Sequence, residues 1–476
     1  MFKGNFRPPL FRPALNLGGL LDIPTGKYEQ GRHGEMILNG GLDALTGIAS
    51  RPNNFKTALA IYMLAAARRA MPLMSGITYD TEGTLNAVPR FNAVSQTIEE
   101  LAEIDWENDE LYANTDISQY TGDEFFTEFR KLLSVKEKEV KSYTRTTPFI
   151  DVNGKVKTFT YPSVGLIDSF SKFQISEVDL AYSKHDVGNA KLNTTAMTNG
   201  KAKKQLFDQL PQICAKSGTH VILTAHVSDV INMEMFPTDK RNLTGMKRDT
   251  IILGVSGGFY SLPNNVWDII ANRPLLNKEK MPVYPLDNAT AIMGDSDLRQ
   301  ITIKNLRGKS GISDLPFNIL FSQTEGYMPS LSEFDYCKER NFGIGGNQQN
   351  YYVELLPEVK LSRTVIRNRL NTNPMLRRAV EIQSEMGQLI EFQRWTTEEV
   401  CTPKELYEDL KAMGYDWDII LGKTRGYWMC EEDAASVDKK FLSTYDLLRM
   451  RKGLYKPYWM TDSEKTAIKP LELAKG

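Results

Sequence analysis

Short apolar runs alternate with longer stretches of helical period from Met36 onward, an order that predicts an α/β fold. Met36-Ile37-Leu38 and Leu45-Thr46-Gly47-Ile48-Ala49 read as strands, and the segment beginning at Thr57 reads as a helix whose apolar run ends in Arg68-Arg69. Further apolar runs follow at Pro72 to Tyr79, Ser163 to Ile167, His220 to Thr224, and Thr250 to Val255 or Val266 to Ile270. Each stands next to a plausible helix. The pattern predicts a mostly parallel twisted sheet buried on both faces by helices.

Punctuation divides the chain. Residues 1–33 are rich in Pro and Gly and carry no periodic apolar segment, so they read as an extended arm. Residues 34–330 form the predicted core, interrupted at about 97–160 by an acidic stretch, a basic stretch and a hairpin turning at Asn153-Gly154. After the loop-like Gly343 to Gln349, residues 345–476 read as a smaller, mostly helical region. There Thr402-Pro403-Lys404-Glu405 is a capping box with proline at the first helical position.

Charge and cysteine content narrow the partners. The 476 residues carry 58 Lys+Arg against 59 Asp+Glu, a net charge of −1, so any nucleic-acid contact must come from local loops and not from a basic coat. No window reaches the ~18 apolar residues of a membrane span. Cys214, Cys337, Cys401 and Cys430 are dispersed and form no CxxC pair or zinc cluster, and Met1 to Pro9 has no apolar targeting core. The expectation is a cytoplasmic protein with reduced thiols and no membrane partner.

The segment most suggestive of chemistry is Ser50-Arg51-Pro52-Asn53-Asn54-Phe55-Lys56-Thr57, between an apolar strand and a helix. Backbone amides and the positive helix end suit a phosphate there. Against G-x-x-x-x-G-K-[ST] it keeps Lys56 and Thr57 but has Ser50 and Phe55 in place of the glycines. Three strand ends supply partners. Asp168 closes Ser163 to Ile167 and suits the water shell of Mg²⁺ beside Thr57. Glu82 follows Tyr79-Asp80-Thr81 and suits activation of an attacking water, and His226 ends Val221 to Ala225 where it can sense a γ-phosphate.

Together the Phe-Lys-Thr loop, the Tyr-Asp-x-Glu and Leu-Ile-Asp-Ser strand ends and the His-ended strand resemble the RecA-like strand-exchange recombinases of T-even-type phages, within the wider RecA and DnaB class of P-loop ATPases. Lys304-Asn305-Leu306-Arg307-Gly308 resembles the element by which such ATPases reach a neighbour's nucleotide. The resemblance implies ATP and Mg²⁺ as cofactors, Lys56, Glu82, Lys304 and Arg307 as catalytic groups, and a homo-oligomer with ATP between protomers. It implies a helical filament on single-stranded DNA that pairs with duplex DNA for recombination, repair and replication, served by single-strand-binding and loading proteins. The competing resemblance is to hexameric DnaB-type replicative helicases, whose loops often hold Arg-Pro as Arg51-Pro52 does; these work as closed rings. Phe11-Arg12-Pro13-Ala14 has the F-x-x-A form that relatives use to dock protomers.

In RecA-like proteins the loops after the Asp strand and after the sensor strand face DNA. The first corresponds to Lys184 to Lys204, where Lys184, Lys191, Lys201, Lys203 and Lys204 stand among glycines and small polar residues, a composition expected of a flexible cationic loop. The second, Asp229 to Ser261, holds Lys240, Arg241, Lys247 and Arg248, with Phe236 and Phe259 as candidates to stack on bases.

Overall fold

A computed structural model describes residues 10–185, 189, 191–231, 233, 238–293, 297–309, 311–393 and 400–471. Ten strands form the central sheet: β1 (Leu45–Ser50), β2 (Ser75–Asp80), β3 (Tyr112–Asp116), β4 (Ser163–Asp168), β5 (Thr219–Asp229), β6 (Thr250–Leu253), β7 (Asn265–Pro274), β8 (Leu298–Gly308), β9 (Pro316–Ser322) and β10 (Gly326–Tyr327). Their order is β10-β9-β8-β7-β1-β5-β4-β2-β3, with β6 paired to β5. The six strands from β7 to β3 are mutually parallel, and β8, β9 and β10 extend one edge in antiparallel fashion.

Helices cover both faces, as a sheet of continuous apolar strands requires. Every residue of β1 is buried. On one face lies α1 (Lys56–Ala67), Ala-rich and buried nearly all round, hence apolar on every side. On the other lie α3 (Gly122–Lys138), through Phe125, Phe126, Phe129 and Leu133, and α5 (Lys191–Ser217), through Leu206, Phe207 and Leu210. Between these in sequence come α2 (Ala87–Ser95) and α4 (Ser176–Lys184).

Four features go beyond the sequence expectations. The stretch 97–160 is no mere appendage, because it supplies β3 as a parallel edge strand beside β2 and α3 as a cover. The arm is not free: Leu15, Leu17, Leu20, Leu21 and Ile23 are buried in the main core, and Lys27–Gln30 pairs with Met36–Asn39 outside the central sheet. Phe11 lies against Phe149 of the same chain, with centroids 5.3 Å apart, and Ala14 is buried, so the F-x-x-A segment is docked in cis. The C-terminal region opens with a three-stranded antiparallel sheet, Ile344–Asn347, Asn350–Val353 and Leu356–Leu361, before its helices. Helices α6 (Pro329–Glu339), just before that sheet, and α7 (Pro374–Phe392) and α8 (Pro403–Met413), after it, bury residues that share one core with α1. Among the described residues no helix is long and apolar enough to cross a membrane.

Candidate nucleotide site

Sheet register assembles the site. Ser50 at the end of β1 lies beside His226 on β5, and Asp80 on β2 lies beside Asp168 on β4. The loop from Arg51 to Phe55 then turns into α1. Asn53 and Phe55 both adopt left-handed backbone, with φ of 61° for each, a conformation usually left to glycine. Phe55 bears that cost where its ring meets Phe321 on β9, centroids 5.1 Å apart. The loop thus reaches a glycine-like geometry without its glycines. Arg51 pairs with Asp229, and Asn272 of β7 donates to the Asn53 carbonyl at 3.1 Å.

Behind the loop, Thr57 Oγ1 donates to Asp168 Oδ2 at 2.5 Å, and Thr224 donates to the other carboxylate oxygen. Asp80 accepts from the amides of Glu82 and Leu85, at 2.8 and 2.6 Å, and so folds the turn that carries Glu82 forward. The Glu82 carboxylate meets His226 Nε2 at 2.9 Å and accepts from Ser169 Oγ at 3.1 Å. Partial burial pushes the Glu82 carboxyl upward, but the His226 and Ser169 hydrogen bonds and the Lys56 charge outweigh it and hold the group below its ordinary range.

These groups open onto a cleft of about 660 Å³, lined by Pro52 to Ala58, Glu82 and His226. Four further side chains in its wall were not singled out from the sequence: Arg90 after β2, Asn272 on β7, Arg299 on β8 and Gln323 after β9. Arg299 Nε donates to Asn272 Oδ1 at 2.9 Å, so arginine, asparagine and loop carbonyl form one chain of hydrogen bonds. Only strand register brings Arg299 there, opposite Pro274.

Lys304 and Arg307 do not line this cleft. They sit further along β8, opposite Asp268 and Val266, with β7 between them and β1. Lys304 pairs with Asp314 at 2.7 Å, and Arg307 donates to the Pro263 and Tyr260 carbonyls at 3.2 and 3.4 Å.

The two basic segments also depart from the flexible-loop expectation. Lys191 opens α5, which runs on through Lys201 and Lys204 as helix. Lys203 is buried, its Nζ donating to the Ser171 and Gly254 carbonyls at 2.9 and 2.8 Å, and burial pushes its pKa down to about 8. It is therefore not a free phosphate contact. Phe259 is fully buried against Gly47 of β1, where a Cβ would come within 2.9 Å of the ring, so it is core and not a base-stacking platform. Arg241 is occupied by Asp239 and by the Thr244 and Met246 carbonyls. The exposed cations of these segments are Lys184, Lys201, Lys204, Lys240, Lys247 and Arg248, and the same stretches expose the apolar Met197, Ile231, Met233 and Leu253, with Leu180 and Tyr182 exposed just ahead of the first. Phe236 and the Lys191 side chain lie outside the described residues.

Ranked by chain position, the phosphate-loop strand, the Glu strand, the Asp strand, the His strand and β7 stand in the spatial order 5-1-4-3-2. The fold is mixed α/β, a mostly parallel ten-stranded sheet flanked by helices. No family model matches the chain, and no curated protein is similar to it. Among solved structures, the ATPase domain of G40P is similar with a TM-score of 0.33 and 12% identity, over 62% of this chain and 84% of that chain.

Proposed function

We propose that this chain is an ATP hydrolase whose reaction takes place in the cleft between Lys56 and Glu82. The observation that carries the proposal is the convergence of side chains from the start of α1, the turn after β2, the end of β4 and β5: Thr57 on Asp168, and Glu82 on His226 beside Lys56. Lys56 holds the β- and γ-phosphates, with the loop amides and the start of α1 around them. The donor set fits Mg²⁺, since a hydroxyl and a carboxylate leave its other positions to phosphates and water, and the described residues contain no cluster of His, Cys, Asp and Glu that would cage a softer metal. Bound Mg²⁺ supplies charge neutralisation on the phosphates. The Glu82 carboxylate accepts the proton of the water that attacks the γ-phosphorus, and ADP departs with the bond electrons. His226 ties Glu82 to β5 and so couples the base to the segment that follows that strand.

The site is completed in trans by Lys304 and Arg307 of a neighbouring copy, a reading supported by their position outside their own chain's cleft. Mixed oligomers test this. A Lys304→Ala/Arg307→Ala chain combined with a Lys56→Ala chain should regain part of the ATPase that each lacks, and no recovery in demonstrably mixed assemblies would place the whole site within one chain.

The substrate polymer on this reading is DNA. The exposed lysines and apolar side chains after β4 and β5 suit a single strand, with cations on phosphates and apolar groups against bases. The finer reading is a filament-forming recombinase that pairs single-stranded with duplex DNA. Electron microscopy with single-stranded DNA and a non-hydrolysable ATP analogue should show extended helical filaments. Closed six-membered rings would replace that reading with a helicase.

A further inference from the structure

At the end of α1 remote from the nucleotide cleft lies a second cavity of about 90 Å³, where α1, the N-terminus of α7 and the Thr424–Arg425 strand meet. Its cations are Arg69, Arg377, Arg378, Arg425 and Lys439. Three have carboxylate partners: Arg377 with Glu99 at 2.6 Å, Arg378 with Glu381 at 2.7 Å, and Lys439 with Glu99 and Glu100 at 3.5 and 3.8 Å. The fourth acid in the wall, Glu333, is pushed well above the ordinary carboxyl range by burial and by the neighbouring Glu381 and Glu385, which favours its neutral form. Positive charge is in excess.

Arg69 and Arg425 form no direct ion pair among the described residues, although the charges of Glu381 and Glu100 reach Arg69 and favour its cation. Arg425 is 6% exposed; one of its nitrogens donates to the Tyr427 carbonyl and its Nε has no partner among the described residues. Arg69 Nε is likewise buried without a partner there. Tyr427 holds the two together, its ring centroid 4.3 Å from the Arg69 guanidinium carbon and 5.4 Å from that of Arg425. A buried cation with unfilled donors is costly, and a tetrahedral oxyanion offers acceptors that match the guanidinium fork. One water needs roughly 10–15 Å³ of such space, so the cavity admits a small oxyanion with a few waters and excludes a nucleotide.

We propose that this cavity binds a free oxyanion of the phosphate class, clamped by Arg69 and Arg425 at the N-terminus of α7. Arg69 lies two residues beyond α1 and Arg425 belongs to the C-terminal region, so the anion ties that region to the helix that begins at Lys56.

The test is thermal unfolding of the full chain carrying Lys56→Ala, which removes the phosphate loop's contribution, titrated with inorganic phosphate at ionic strength held constant with chloride. Tm should rise with phosphate, and Arg425→Met should weaken the apparent affinity by roughly 10–100-fold, the loss of charge-assisted hydrogen bonds. An equal response to chloride, or an unchanged affinity in Arg425→Met, would overturn the site. Should Arg425→Met not fold, crystals of the unsubstituted chain soaked in selenate decide: an anomalous peak within hydrogen-bond distance of Arg69 and Arg425 is expected, and its absence contradicts the proposal.

Discussion

The two ends of α1 handle charge in opposite ways. At the N-terminal end, Lys56, Glu82 and His226 open onto a broad cleft, and Glu82 is held below its ordinary range, which favours its ionised form. At the other end, about 18 Å away at 1.5 Å per residue, Arg378, Glu381, Glu385 and Asp446 are enclosed. There burial dominates: the Glu385 carboxyl is pushed up to about 8, by enclosure and then by Glu381, and Asp446 up to about 6. Charge placed in a wet cleft can serve chemistry. Charge placed in a dry joint must be neutralised or paired, and it makes the joint unforgiving.

Breaking the joint should therefore show in stability and not in catalysis per folded molecule. Arg378 is 5% exposed, pairs with Glu381 and donates to the Leu442 carbonyl. Arg378→Met leaves a buried carboxylate unpaired and should cost about 3–5 kcal/mol, measured by urea unfolding; a loss below about 1 kcal/mol would mean that water already reaches the pair.

A smaller effect sharpens the contrast through pH. Glu385 keeps its proton when folded up to about pH 8 but surrenders it near its ordinary value, 4.5, when unfolded. In that window the folded state binds the extra proton, so the group's contribution to stability falls as pH rises from about 4.5 to 8. Glu385→Gln retains an acceptor for the Thr444 hydroxyl. It should flatten that fall and so gain stability at pH 8 relative to pH 5. Parallel pH profiles of the two proteins would remove Glu385 from the account.

The smallest effect belongs to the exposed lysines beyond β4. Replacing Lys201 and Lys204 by Ala should lower the salt slope for single-stranded DNA by about 0.7 for each phosphate that is no longer neutralised. Adding Lys203→Ala should leave the slope where it was and reduce stability instead, because that side chain caps two carbonyls.

The polar groups of the candidate site were legible in the sequence because apolar runs lead into Ser50, Asp168 and His226, so a run and the polar group that closes it could be read together, although β5 continues past His226 to Asp229. The missing glycines obscured nothing once the neighbouring strand ends were counted. Other features left no local signature. β3 is Tyr-Ala-Asn-Thr-Asp, an edge strand whose polar residues carry no apolar alternation. The leucines of the arm enter the core from irregular backbone and so have no period. Lys203 and Phe259 look like surface chemistry in sequence, yet the gap over Gly47 and two unmet carbonyls draw them inward. Asn272 and Arg299 converge through register across β7 and β8, and Arg90 reaches the same cleft from α2, placements that spacing along the chain does not encode.

The central claim is that Glu82 activates water in the cleft. Phosphate release from ATP, followed with and without single-stranded DNA for the unsubstituted chain and for Glu82→Gln, tests it most directly. The account predicts DNA-stimulated release by the unsubstituted chain and about a 10²–10⁴-fold loss in Glu82→Gln, with ATP affinity preserved because Lys56 and Thr57 are untouched. Release by Glu82→Gln at the unsubstituted rate would contradict it.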